Sequence, residues 1–324
     1  MNTNYIILGA GGAIGQTLAE ELISKNERVK LVSRTGRGMP GAEGAIADLT
    51  NLDETKNSID KSSVVYLVAG LRYKASVWEE QWPKIMRNTV EACKAKNARL
   101  VFFDNVYPYG KVKGHMTEDT PVNPCSKKGE VRATIAEYLL SETRKNNITA
   151  MIARSADFYG PYANKTSTPF MLIIERLAKG KKATPLADIN TVHSYTYTVD
   201  CGKALYLLGK EQSAWNQVWH LPTASPPLTG EEFIRIVAKK LEVHPNFTVL
   251  KKWMLKMAGI FAEQPREAIE MLYQSEDDYI FDSSKFEKHF HFTPTLYEIG
   301  IEETIAHFRQ NGTIPNVPTI HQYS

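Results

Sequence analysis

The chain has 324 residues, 43% of them hydrophobic and 23% charged, enough for one large α/β domain and a smaller lobe. Its formal net charge of +3 is too small to recommend nucleic acid or an anionic membrane as a partner. The three cysteines, Cys93, Cys125 and Cys201, lie far apart and form no CxxC pair, so neither a metal site nor a disulfide framework is expected and a cytoplasmic setting fits.

No apolar run reaches the ~18 residues of a membrane span, and no basic stretch with an apolar core suggests a secretion signal. In chain order, short apolar runs predict strands over 5–8, 29–33, 45–47, 64–69, 100–103 and 149–153. Amphipathic segments predict helices over 13–25, 52–59, 82–96 and 129–145. This alternation predicts a doubly wound parallel sheet, α/β in class and covered on both faces. Past Arg154 the pattern loosens. Helices are expected over 169–179, 200–209, 231–241 (capped by Thr229), 251–261, 266–274 and 302–308, and strands over 192–198 and 217–221. Lys179, Lys181 and Lys182 read as a solvated helix end.

The sharpest motif is Leu8-Gly9-Ala10-Gly11-Gly12-Ala13-Ile14-Gly15, which follows a strand and opens a helix. Gly9 would permit the tight turn. Gly12 would let the backbone approach a pyrophosphate, and Gly15 would let the helix pack on the sheet. The helix start, with Ala13 and Ile14, offers free N–H groups to phosphate. The second strand ends in Ser33-Arg34, with Arg37 nearby, where an acidic residue would hold the ribose hydroxyls of NAD. A guanidinium suits a 2′-phosphate instead, so NADP is expected over NAD.

The GxxGxxG spacing resembles the short-chain dehydrogenase/reductase superfamily, whose fold is of the Rossmann type. Asp48-Leu49 resembles its adenine-side pair, and Val68-Ala69-Gly70 its small-residue floor beneath the cofactor. Asn88-Thr89-Val90-Glu91-Ala92, the segment from Val101 to Gly110, Arg154-Ser-Ala-Asp-Phe-Tyr-Gly-Pro161, Tyr195 to Asp200, Phe292-Thr-Pro and Gly300-Ile-Glu-Glu-Thr304 are similar, in order, to the extended branch with its nucleotide-sugar epimerases and dehydratases. The resemblance covers essentially the whole chain. It implies a dinucleotide-binding domain over 1–165, completed by about 192–222, and a substrate lobe over 166–191 and 223–324. It also allows a homodimer through helices 82–96 and 129–145.

The catalytic positions depart from that pattern. The family places Tyr-x-x-x-Lys on the helix after the fifth strand. The lysine makes an acid of a tyrosine whose unperturbed pKa is about 10. Here Pro121-Val-Asn-Pro-Cys-Ser-Lys-Lys-Gly-Glu130 puts Cys125 at the tyrosine and Gly129 at the lysine, and Asn105 stands at the serine position. Tyr109-Gly-Lys-Val-Lys113 repeats the spacing in a glycine-flanked loop and is read as coincidence. Three readings stay open. Hydride transfer could use other proton donors, among them Tyr107, Tyr109, Tyr159 and Lys127 or Lys128. Cys125 could be an acid or nucleophile, although a small buried residue filling the tyrosine's space is the favoured reading. The chain could instead bind NADP(H) without turnover, as a redox sensor or regulatory protein.

For substrate, His193 stands where the epimerases carry a phosphate-gripping arginine, which weakens the case for a nucleotide-sugar. Arg72, Tyr73 and Trp78 could shape a pocket beside the cofactor. Asp157, in place of the family's asparagine, and Tyr159 sit where the family contacts substrate. The expected ligand is a small carbonyl or hydroxyl compound, sugar-like in class.

Overall fold

The computed structural model describes residues 4–316. Seven parallel strands form its centre: β1 (Asn4–Leu8), β2 (Arg28–Ser33), β3 (Glu43–Ile46), β4 (Val64–Leu67), β5 (Arg99–Asn105), β6 (Ala150–Ser155) and β7 (Val218–His220). Their spatial order is β7-β6-β5-β4-β1-β2-β3. β4 and β6 are buried at every position, which is why Val64–Leu67 and Ala150–Ala153 read as apolar runs. One face is covered by α1 (Ala13–Ser24) and α5 (Thr198–Lys210), whose side chains share one apolar cluster. The other face carries α2 (Leu52–Ser58), α3 (Ala75–Lys96) and α4 (Lys127–Arg144). The strand order reverses between β1 and β4, and their C-terminal ends leave the crevice where doubly wound folds bind ligands.

A second cluster, built from Tyr159, Phe170, Tyr197, Phe233, Tyr297 and Phe308, holds a smaller lobe. It packs α6 (Gly230–Leu241) against α9 (Tyr297–Gln310); α7 (Lys252–Phe261) and α8 (Glu263–Ile269) lie outside that cluster. Thr229 caps α6 in a full capping box with Glu232, as its position predicts. Asp200 accepts hydrogen bonds from the backbone and hydroxyl of Thr295, at 2.7 and 2.9 Å, and so ties α5 to the tail.

Four expectations are corrected. The strand near 195 does not complete the large sheet; Tyr195–Tyr197 pairs with Asp157–Tyr159 in a two-stranded sheet, because β5 and β7 already occupy both edges of β6. α3 begins at Ala75, seven residues before Trp82, and carries Pro83 inside it. Burial of Trp78 and Trp82, one turn apart, outweighs the hydrogen bond that proline removes. The helix expected over 169–179 opens with a π-helical stretch, Phe170–Ile174. The helix expected over 266–274 is two, α8 and Tyr273–Glu276, parted where Met271 and Leu272 turn into the interior.

Candidate active site

The glycine loop joins β1 to α1. Gly9 has φ +89°, and a Cβ there would lie 2.3 Å from the Ala69 Cα, so only glycine fits against the loop after β4. Gly12 caps α1 with no side chain on the cap, leaving the first-turn N–H groups of Ala13, Ile14 and Gly15 without helical partners. A Cβ on Gly12 would meet only the Gly9 carbonyl, at 3.8 Å, and one on Gly11 or Gly70 would meet nothing within 4 Å. That open space beside a helix N-terminus fits a dinucleotide's diphosphate. Gly15 has a different task from the one expected. A Cβ there would come within 2.7 Å of the Ala10 Cα, so it accommodates the folded-back loop rather than the sheet. The close helix approach is made by Gly202, against the Thr17 backbone.

At the end of β2, Ser33 accepts a hydrogen bond from the Gly36 N–H at 3.1 Å, while Arg34 and Arg37 are exposed. Asp48 lies across from Arg34. Hydrogen bonds from Thr50, aided by the Arg34 charge, hold its carboxyl below the usual range. The Leu49 carbonyl accepts from Asn88 at 3.0 Å, which gives that α3 asparagine its role. Val68 is buried and donates to the Leu8 carbonyl, Ala69 is half-buried, and Gly70 is exposed.

Of the residues that the sequence suggests for the catalytic positions, Asn105 and Gly129 both meet the Tyr107 backbone. Asn105 ends β5 and accepts from the Tyr107 N–H at 3.1 Å, so it caps a turn. Cys125 is exposed and lies just ahead of α4, which corrects the expectation of a buried space-filler. It stands beside the buried Tyr273. Gly129 leaves no room for a lysine, since a Cβ would meet the Tyr107 carbonyl at 2.8 Å. Tyr109 is buried, its hydroxyl 2.8 Å from His220 Nε2 and its ring under Arg154. His220 Nδ1 donates to the Asp282 carbonyl, so Nε2 accepts from Tyr109 and that hydroxyl has no access to substrate. Tyr159 is fully buried too, packed on Tyr197, Phe233 and Tyr297, with Gly300 against its hydroxyl. Both tyrosines are core residues, which removes them as proton donors.

Lys128 is fully buried. Its ammonium is hydrogen-bonded to Glu267 at 2.6 Å and to Glu270, and lies 4.5 Å from the Tyr73 ring centre. It is therefore not a free group reaching for a ribose. The same α8 segment joins the loop after β4, through Glu263 to Arg72 and Lys74 and through Glu267 to the Ala75 N–H. Glu270 also accepts from the Lys127 N–H at 2.9 Å. Burial pushes the Glu267 carboxyl up, but Lys128 and the Ala75 N–H outweigh it and hold it below its ordinary value.

Two predicted substrate residues do meet. His193 Nε2 lies 3.2 Å from Asp157 Oδ2, and the imidazole is stacked between Tyr279 and Tyr195, at 4.2 and 4.6 Å. Tyr73, Tyr107, Tyr273 and Tyr279 all lie within range of the Asp157 charge. The Tyr73 and Tyr107 hydroxyls are 3.4 Å apart, Tyr73 exposed and Tyr107 half-buried. Sequence reasoning missed Glu267, Glu270, Tyr273 and Tyr279, which carry no motif. It also missed buried Asp104, which accepts from Arg132 at 2.7 Å and Arg154 at 3.2 Å beneath the site. An aspartate inside an apolar strand was the available signal for that trio.

The model of the NAD dependent epimerase/dehydratase family matches residues 5–219, and the chain belongs to that family. An uncharacterized UDP-glucose epimerase, YtcB of Bacillus subtilis (strain 168), is 22% identical over 63% of this chain and 72% of its own length. The crystal structure of gox2253 superposes with a TM-score of 0.79 at 20% identity, over 97% of this chain and 100% of that one. UDP-glucose 4-epimerase of Thermus thermophilus, in complex with NAD, gives 0.76 at 18% identity, over 95% and 99%. At these identities the structural likeness speaks for the fold.

Proposed function

We propose that this chain binds NADP(H) on the loop from Gly9 to Gly15 and acts as an oxidoreductase or epimerase-like enzyme on a small, sugar-like hydroxyl or carbonyl compound. The observation that carries this reading is the open cradle: room for a diphosphate over Gly12, facing the unpaired amides of α1. Arg34 and Arg37, exposed at the end of β2, suit a 2′-phosphate. The names of the relatives support a sugar-like substrate. His193, held on Asp157 where an arginine would grip a diphosphate, weighs against the nucleotide part.

A bound nicotinamide ring supplies the hydride chemistry; the chain supplies position and protons. Tyr73 and Tyr107 are protonated at neutral pH, as tyrosines ordinarily are, and so can donate hydrogen bonds to a substrate oxygen. The Asp157–His193 pair would serve as the base. We read residues 166–191 and 223–316 as the lobe that closes over that substrate.

A second reading, NADP(H) binding without turnover, draws support from Lys128 being tied to two glutamates while Gly129 and Cys125 replace the family's pair. Titration with NADPH and NADH, followed by NADPH oxidation against a panel of sugar-like carbonyls, separates the readings. The expected result is tighter NADPH binding, lost by roughly tenfold or more in R34A, with turnover reduced in Asp157→Asn. Tight binding without turnover on any carbonyl selects the second reading, and tighter NADH binding overturns the choice of cofactor.

A further inference from the structure

Helix α7 presents an apolar face to solvent. Trp253, Met257, Ile260 and Phe261 are 64%, 57%, 67% and 88% exposed. They recur at the i, i+4, i+7 and i+8 positions and therefore share one side of the helix. The opposite side is the packed one. Leu255 and Gly259 are buried, and Gly259 sits against the backbone of Arg266 in α8. Single exposed apolar residues are ordinary on a protein surface, whereas four on one helix face form a patch that calls for a partner.

The charges around the patch identify that partner. From its cap at Lys251 to Ala262, the helix carries Lys251, Lys252 and Lys256 and no acid. Lys252 is drawn back to Glu276, while Lys251, at the helix start, and Lys256, beside the apolar face, stay exposed. The first acid past the helix, Glu263, is held by Arg72 and Lys74. A second copy of the chain would set two lysine-edged faces together with no acid on either helix. An aromatic and aliphatic face edged by lysines instead matches the boundary of an anionic bilayer, where the apolar side chains enter the acyl region and the lysines reach headgroup phosphates. Among the described residues, no helix is long and apolar enough to cross a membrane, so the contact would be peripheral.

We propose that α7 is a docking surface for an anionic lipid bilayer, lying in the plane of the interface. The test is flotation of the full chain with vesicles of phosphatidylcholine alone or mixed with phosphatidylglycerol. The expected result is co-flotation with the mixed vesicles, much weaker on the neutral ones and reduced by salt. The double variant W253S/F261S should lower the bound fraction about tenfold or more. The variant K251E/K256E should lose the preference for phosphatidylglycerol. All four positions are exposed, so unchanged melting and NADPH affinity would report an intact fold and a dinucleotide site independent of this face. The proposal is overturned if the chain stays behind with mixed vesicles, if W253S/F261S floats as well as the parent, or if sedimentation instead finds a dimer that F261S dissolves.

Discussion

Two glycines of one loop answer to different constraints. Gly9 is required by its own chain, because φ is positive and Ala69 leaves no space for a Cβ. Gly12 has room beside it that nothing among the described residues fills. Gly9→Ala should therefore destabilise the fold by about 1–3 kcal/mol. Gly12→Ala should leave stability within about 0.5 kcal/mol while weakening NADPH binding. Chemical denaturation and calorimetry on the same samples check both, and a Gly12→Ala protein with full affinity would place the diphosphate elsewhere. The motif announced that these positions are glycine for a reason, and its spacing pointed correctly to the turn at Gly9. It misassigned Gly15, because what a missing Cβ avoids depends on which backbone arrives there. Tyr109 and Tyr159 fail for a related reason. A tyrosine read from a loop or a strand end carries no mark of whether its hydroxyl faces a cleft or a histidine.

Between α4 and α8, four groups make one latch: Lys128, the Lys127 N–H, Glu267 and Glu270. Removing the acids leaves a buried ammonium without its counter-charges, which the local structure relieves by opening. In Glu267→Gln/Glu270→Gln, hydrogen exchange should rise across 263–276 and stay unchanged in β1, β4 and β5. Equal loss of protection in the sheet would mean that the latch supports the whole fold. The start of α4 was legible from Ser126, which caps it by accepting from the Gly129 N–H. Its partner was not, because Glu267 and Glu270 lie roughly 140 residues along the chain, as the separations of these bonds record. The early start of α3 was hidden in the same way. Proline marks a helix start in a sequence, and only the burial of Trp78 overrides it.

The whole molecule couples its sheet to acid sensitivity through His220. Burial lowers this histidine's pKa from 6.5 to about 3, so it is neutral in the fold. Between those values the unfolded chain binds a proton that the folded chain does not. Stability therefore rises with pH across that window and is lost as pH falls through it, by about 2 kcal/mol from pH ~6.5 to ~5. Asp200 and Glu118, whose carboxyls burial raises, act in the opposite sense just above the ordinary carboxylate range. The measurement is thus the difference in pH slope between the parent and His220→Gln, which should be shallower. Identical slopes would mean that His220 takes up its proton as readily in the fold as in the unfolded chain.

The order of strands and helices, the glycine turn and the α6 cap were written locally, because hydrophobic period, φ preference and capping act over a few neighbours. So was the expectation that Cys125 and Gly129 stand in place of a tyrosine and a lysine, which rests on residue identity alone. The pairing of Tyr195–Tyr197 outside the large sheet, the burial of Lys128 and the meeting of His193 with Asp157 were settled by folding. Each depends on distant segments competing for one edge, one cavity or one charge. Net charge shows the same limit: +3 over the chain conceals a lysine-edged apolar face on α7, because a sum discards where the charges lie.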